Sequence, residues 1–337
     1  MPAPSVAALG RYLEPAARAD GEVSVIDSGA DPVVLGSVDF TATAENAVAA
    51  ESEMETAARR LAAGLEGVRA STPGANPLQA LDLAARQIHG SAPEGTVVLA
   101  DSGLQTEGVL DFTQSGMLRA EPQDLVAGLS EAGQLPDLSG IRVFLIGIGD
   151  TSAPQDPLDT ASRRQLAEQW TAIVEAAGAS CVGVDERPVT GPAPDGAPAV
   201  DVVRIPKVTA LAPADSLVLD GESVAFVSDS PQLRDPGFAK DQLAEVARYL
   251  QESGESILLT GTTATDGTPA GRRQLSLQRA QTVKALLVDL GVPAAHISTR
   301  GVGTDHPEHI KDLDARGRLI PAKAARNRTV ILTVERP

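Results

Sequence analysis

Through the first half of the chain, short apolar runs alternate with alanine-rich amphipathic stretches. Val23-Ser24-Val25-Ile26-Asp27 and Val33 to Phe40 predict two strands separated by a Gly/Asp/Pro turn. Thr43 to Leu65 predicts a long helix, with the Thr43 hydroxyl as a candidate cap for free N–H groups. Asn76 to Ile88 predicts a second helix, because Leu78, Leu81 and Ala85 fall on one stripe. Thr96 to Asp101 and Ile141 to Gly147 read as buried strands, and Arg163 to Ala177 as a helix that keeps Trp170 in the core. Continuous apolar strands between helices predict an α/β domain with a doubly wound, mostly parallel sheet covered on both faces.

From about Leu217 the pattern changes. Val224 to Val227 predicts a strand, Ala239 to Gln251 a helix, and Ser256 to Gly261 a strand. Ser276 to Leu290 predicts a helix stopped by Gly291-Val292-Pro293, followed by strands at Ile297 to Gly301 and Thr329 to Val334. The order β-α-β-α-β-β suits an α+β sandwich with two helices on one sheet. Between the two patterns, the run from Arg187 to Pro198 is rich in Pro and Gly and reads as a linker. The resulting division is an N-terminal extension over 1–20, a first domain over 21–186, a linker over 187–216 that includes a candidate strand near 199–205, and a second domain over 217–337. No repeat of 20–50 residues is visible, which disfavours solenoids and propellers.

Composition narrows the function. The chain has 337 residues, of which 42% are hydrophobic and 22% charged, enough apolar mass for two packed cores. A net charge of −17 argues against a duplex nucleic-acid partner, which needs a basic face, and 2% aromatics leave few platforms for stacking single strands. The single cysteine, Cys181, excludes an intrachain disulfide and a thiolate zinc site. No apolar run reaches the ~18 residues of a membrane-spanning helix. Met1-Pro2-Ala3-Pro4-Ser5 opens without the basic and apolar regions of a signal peptide, so either the protein is cytosolic or its signal or anchor lies outside this chain.

Enzyme signatures are missing. Ser102 lies outside a Gly-x-Ser-x-Gly elbow, His89 is the one histidine before the second domain, and no Gly-x-x-x-x-Gly-Lys-Ser/Thr loop exists. Asp305-His306-Pro307-Glu308-His309 offers metal-ligand side chains, but Pro307 disturbs helical spacing between the two histidines.

One set of motifs is specific. Gly261-Thr262-Thr263, Gly267 and Leu275-Ser276-Leu277-Gln278-Arg279-Ala280 are followed in order by Gly291-Val292, Ile297-Ser298, Gly301-Val302-Gly303 and Asn327-Arg328-Thr329-Val330. Together they resemble the OmpA-like peptidoglycan-associated domain over roughly residues 217–337. The resemblance implies binding to the diaminopimelate stem of peptidoglycan, with an Asp for the ligand's ammonium and an Arg for its carboxylate. A planar guanidinium suits the second task because it binds a carboxylate bidentately. Arg279 stands at the family's arginine position, Ala264 at its aspartate and Thr262 at its histidine; Arg272 replaces an asparagine often found before Leu-Ser. Asp266, two residues past Ala264, is the candidate substitute. The implied peptidoglycan-binding set is Arg279, Asp266, Thr262, Thr263, Asn327 and Arg328. Read by itself, Arg279 shares a helix stripe with Val283, Leu286 and Leu290. Its charge must there reach solvent, a ligand, or internal carbonyls or carboxylates such as Asp229 or Asp266. Asn327-Arg328 equally suits a polar turn before the last strand.

The first domain more loosely resembles a von Willebrand factor A-like domain, whose metal site draws on an Asp-x-Ser-x-Ser loop, a Thr and a second Asp. This chain offers Asp27-Ser28-Gly29-Ala30-Asp31, then Thr72, then Asp101, so Gly29 and Asp31 stand at the two serine positions. Asp27, Asp31, Thr72 and Asp101 are therefore the candidate ligands of a hard cation such as Mg²⁺, the alternative being turn residues at strand ends. The expected cofactor set is none, with Mg²⁺ as the exception to test.

These readings predict a non-enzymatic, extracytoplasmic protein of the bacterial cell envelope. Its second domain would dock on peptidoglycan and its A-like domain would bind a protein partner. The alternative is a structural or assembly protein in which both ligand sites are degenerate. High alanine content and arginine in place of lysine point to a GC-rich genome.

Overall fold

Local chemistry sets the helix starts. In a computed structural model, which describes residues 9–12, 21–189, 196, 198, 200–204, 216–219, 224–227 and 229–335, most helices open on a side-chain cap. Asn46 caps α1 (Ala47–Gly67) and Asn76 caps α2 (Pro77–Ser91), each accepting from a backbone N–H three residues on. The cap of α1 is thus Asn46 and not Thr43. Thr43 instead donates its hydroxyl to Glu53 on the same helix. The chain divides into two units, residues 1–113 with 129–204, and residues 114–128 with 205–337.

In the first unit, β1 (Glu22–Asp27) and β2 (Val33–Asp39) form an antiparallel pair of their own. Five residues, 28–32, connect them. A parallel crossover needs about a dozen or more, so this connection can only turn back as a hairpin. β3 (Gly95–Ala100), β4 (Ile141–Ile146) and β5 (Cys181–Asp185) make a parallel sheet in that order. The single doubly wound sheet expected from the apolar runs is therefore replaced, among the described residues, by a hairpin and a separate three-stranded parallel sheet. α1 covers the hairpin through Phe40, Ala57 and Leu61. α4 (Thr160–Ala176) buries Trp170 fully, and the indole N–H donates to the Gly103 carbonyl at 2.8 Å.

Of the expected linker, 190–195, 197, 199 and 205–215 lie outside the described residues. Residues 200–204 belong to the first unit and form no strand. Val203 is buried and exchanges both backbone hydrogen bonds with the Gln155 side chain. Those two side-chain bonds do the work that strand pairing would have done.

The second unit is a four-stranded sheet in the order β6 (Ser216–Leu219), β9 (Val330–Glu335), β7 (Ser256–Thr262), β8 (Ile297–Gly303). β7 runs parallel to β8 and antiparallel to β9, and β6 is antiparallel to β9. The first strand of this unit is thus Ser216–Leu219. Val224 to Val227, expected as a strand, has a single bridge from Phe226 to Leu233. α5 (Pro236–Ser253) and α6 (Pro269–Asp289) supply Leu243, Ala247, Leu250, Ala280, Val283 and Leu287 to the core against Ile257, Leu259, Val330 and Leu332. α6 begins seven residues earlier than its apolar pattern suggests, because Thr268 caps it and Pro269 occupies its first position.

Residues 114–128, inside the expected first domain, cluster with the second unit. They hold a short 3₁₀ turn (Met117–Arg119) and the start of α3 (Pro122–Glu131). Gly116, at φ +94°, lies so close to α7 (Pro321–Asn327) that a Cβ there would run into the Ala322 carbonyl. Met117, Leu118, Ala120 and Leu125 are buried. This apolar anchoring explains the exchange of units.

Candidate ligand-binding site

The site in the second unit is built on the close approach of α6 to β7 and β8. Gly261 and Gly301 have no Cβ, and one added at either position would strike α6 backbone, at Ser276 and at Arg273 and Leu277 respectively. Ser276 is fully buried here, and its Oγ accepts from Gly303 N–H at 3.0 Å. One turn on, Arg279 points inward and is 2% exposed. Its Nε donates to the Ser230 carbonyl at 3.1 Å and its Nη2 to the Val227 carbonyl at 3.5 Å. The guanidinium carbon sits 5.0 Å from the centre of the Phe226 ring, an arginine–aromatic stack. Burial, and then the like charge of Arg328, pull the Arg279 guanidinium down to about 10, against the opposing pull of Glu121 and Asp229. Among the described residues no carboxylate bonds to it.

Two further arginines flank it. Arg234 donates through Nε to the Phe226 carbonyl at 3.0 Å and through Nη2 to the Glu121 carboxylate. Arg328 pairs with Asp124. Glu121 is 7% exposed. Burial pushes its carboxyl above the ordinary range despite the pull of Arg234 and Arg328. Arg234, Glu121 and Asp124 were not legible as site residues, since nothing in the local sequence links 121 to 234 or 124 to 328.

The remaining predicted residues gather at the strand ends. Thr262 is fully buried, and its Oγ1 bonds to the Asn327 carbonyl at 2.7 Å and to Thr329 Oγ1 at 2.9 Å. Thr263 is buried with its hydroxyl unpartnered among the described residues. Ala264 is 2% exposed, and Asp266 lies outside on the loop, accepting from Gly267 N–H. Asn327 is 1% exposed. Its amide accepts from Ile310 N–H at 3.0 Å and donates to the Ile310 carbonyl at 2.8 Å and to Asp312 Oδ2 at 2.9 Å. Asp312, another residue the sequence did not mark, also accepts from Thr265 N–H at 2.9 Å. Burial works to raise its carboxyl, but the donors Thr265 and Asn327, with His309 nearby, hold it below the ordinary carboxylate range. His306 and His309 meet edge to face at 5.6 Å, and no group of three metal-ligating side chains is found among the described residues.

In the first unit the structure brings Asp27, Thr72 and Asp101 to one place. Ser28 Oγ donates to Asp101 Oδ2 at 2.7 Å, and Ser71 Oγ donates to Asp27 Oδ2 at 2.8 Å. The other two carboxylate oxygens accept from Gly29 N–H and Gly103 N–H. Thr72 Oγ1 accepts from Ala30 N–H at 2.9 Å. A Cβ on Gly29 would lie 2.8 Å from Thr72 Oγ1 and 3.2 Å from Asp27, so no serine side chain has room there. Asp31 is exposed.

The OmpA family model matches residues 225–318. Outer membrane protein A of Bordetella avium is 34% identical over 149 residues, covering 44% of this chain and 70% of that protein. Among solved structures, the peptidoglycan-associated lipoprotein from Burkholderia pseudomallei is 27% identical over 33% of this chain and 88% of its own, with a TM-score of 0.28. The cell wall anchor of the T6SS from Pseudomonas aeruginosa is 27% identical over 36% and 81%, with a TM-score of 0.29. With the family model matched over 225–318 and a relative 34% identical along 70% of its length, the chain belongs to the OmpA family.

Proposed function

We propose that this is a non-enzymatic, extracytoplasmic protein of the cell envelope that docks on peptidoglycan through its OmpA-like domain. The carrying observation is Arg279, a buried guanidinium at the family's arginine position to which, among the described residues, no carboxylate is bonded. A buried cation is costly until an anion meets it, and the carboxylate of a diaminopimelate stem supplies one. Asp266, exposed on the loop past β7, is our candidate for the ligand's ammonium. The first unit is proposed to bind a protein partner. No helix among the described residues is long and apolar enough to cross a membrane.

Ala264, buried where the family carries Asp, favours a second reading, an assembly module that binds neither peptidoglycan nor metal. Co-sedimentation of the full chain with purified peptidoglycan, at low and moderate salt, separates the two. The first reading expects saturable binding by the native protein and a loss of tenfold or more in Arg279→Ala, the effect of one charged contact worth about 1.5–3 kcal/mol. Thermal melting establishes that the variant is folded. A native protein that stays in the supernatant at both salts leaves the second reading.

We take the Asp27–Thr72–Asp101 cluster to work without a metal. All four carboxylate oxygens already accept protein hydrogens, and Gly29 leaves no place for a serine ligand. Magnesium titration by calorimetry should give no saturable heat. A saturable heat that disappears in Asp101→Ala would overturn this assignment.

A further inference from the structure

Within the second unit, residues 114–128 present two carboxylates to the arginines that surround the proposed ligand site. Glu121 is paired with Arg234 and acts electrostatically on Arg279; Asp124 is paired with Arg328. Both pairs are sheltered, with side-chain exposures of 20% and 9% for Arg234 and Glu121, and 13% and 15% for Arg328 and Asp124. Arg234 and Arg279 also hold the same loop, donating respectively to the carbonyls of Phe226 and of Val227 and Ser230. The segment is therefore seated on a single cationic patch. Met117, Leu118 and Ala120 are buried beside it, and Gly116 permits backbone approach to α7.

We propose that residues 114–128 act as an internal ligand, their Glu121 and Asp124 carboxylates occupying the Arg234–Arg279–Arg328 patch in competition with the carboxylates of an external peptide. This inference rests on the peptidoglycan reading for the identity of the competitor, but not for the occupancy itself. The physical case is one of charge. Arg328 repels Arg279, whose burial sharpens that repulsion, and Arg234 adds a further positive charge at the loop that Arg279 holds. Two carboxylates from a distant part of the chain relieve it. A stem peptide brings the same chemistry, a carboxylate for a guanidinium fork, so both cannot hold the patch fully at once. The tethered segment has a high effective concentration, and it lowers apparent affinity for the free ligand by the fraction of time that it is seated.

The test compares the full-length native protein with Glu121→Gln/Asp124→Asn, which keeps side-chain shape and removes both charges. Two probes are used, purified peptidoglycan in co-sedimentation and a synthetic peptide of residues 114–128 in calorimetry. Hydrogen exchange of β7 and β9 amides confirms that the variant's sheet is intact. The expected result is tenfold or greater tightening toward peptidoglycan in the variant, together with capture of the synthetic peptide by the variant and not by the native protein. Equal peptidoglycan affinity in the two proteins overturns the competition and leaves the peptidoglycan reading standing. Capture of the synthetic peptide by the variant, with neither protein binding peptidoglycan, supports the internal occupancy and overturns peptidoglycan as the competitor. No capture of the peptide by the variant overturns the two carboxylates as the groups that hold the segment on the patch.

Discussion

Gly261→Ala should destabilise the OmpA-like domain by about 3 kcal/mol or more, the largest effect expected of a glycine-to-alanine change among the described glycines. The position has no unusual backbone angle, so the reason is contact. A methyl there enters the backbone of Ser276, and neither partner is a flexible side chain that can swing away. Overpacking a well-filled core typically costs 1–3 kcal/mol, and more when backbone must move. Relief would require α6 to lift from β7, breaking the Ser276 bond to Gly303 N–H and withdrawing Val283 and Leu287 from the core. Gly237, in the first turn of α5, is the control. Its nearest neighbour is a side-chain oxygen of Asp235 at 3.5 Å, and Gly237→Ala should be neutral or stabilising by up to about 1 kcal/mol. Denaturant unfolding of both variants checks the pair. A Gly261→Ala protein as stable as the native one would show that α6 does not pack on β7 as described.

The same glycine shows why the second unit was legible. Its fold depends on features that leave a local trace, namely glycines where a helix touches a strand, a capped helix carrying Leu-Ser-x-x-Arg-Ala, and alternating strands. The first unit left a weaker trace. The runs at Val23 and Val33 looked like members of one parallel sheet because each is apolar. Their five-residue connection already forbade that, and loop length was the better guide. Val33 and Leu35 are each half exposed, so apolar content overstated how buried β2 is.

Site residues divide along a different line. Arg279 was legible because it combines a family position with a charge on an apolar stripe. Its surroundings were not, because Glu121, Asp124 and Arg234 become neighbours only through the fold. A segment more than a hundred residues before its partners carries no local sign of where it will rest. The metal candidates illustrate the reverse case. Asp27, Thr72 and Asp101 do meet, as the resemblance to an A-like domain implied, but Ser28, Ser71 and the Gly29 and Gly103 amides take up the carboxylate oxygens. The resemblance implied proximity; hydrogen-bond saturation left no trace in the sequence.

Asn327→Ala is the second large effect expected, about 3 kcal/mol at pH 7, and its pH dependence identifies the cause. The Asn327 amide, itself 1% exposed, satisfies both the N–H and the carbonyl of half-buried Ile310 and donates to buried Asp312. Removing it strands two backbone groups and one lone pair of a buried carboxylate, each costing about 1–3 kcal/mol when water cannot replace the partner. The Asp312 carboxyl lies below its ordinary 3.8 in the native fold, since Thr265 and Asn327 outweigh burial. A carboxyl held below its unfolded value contributes stability above that value and loses it as pH falls through the folded one. Without Asn327, burial is opposed less and the carboxyl rises. The stability gap between native and Asn327→Ala should therefore be widest at neutral pH and narrow as pH falls below about 4, leaving the Ile310 share. In an Asp312→Asn background the narrowing should vanish, because nothing at that position titrates. Urea unfolding of the four proteins from pH 7 to pH 3 measures both claims. A gap that stays constant with pH in the native background would mean that Asn327 secures the Ile310 loop and has no hold on the Asp312 proton.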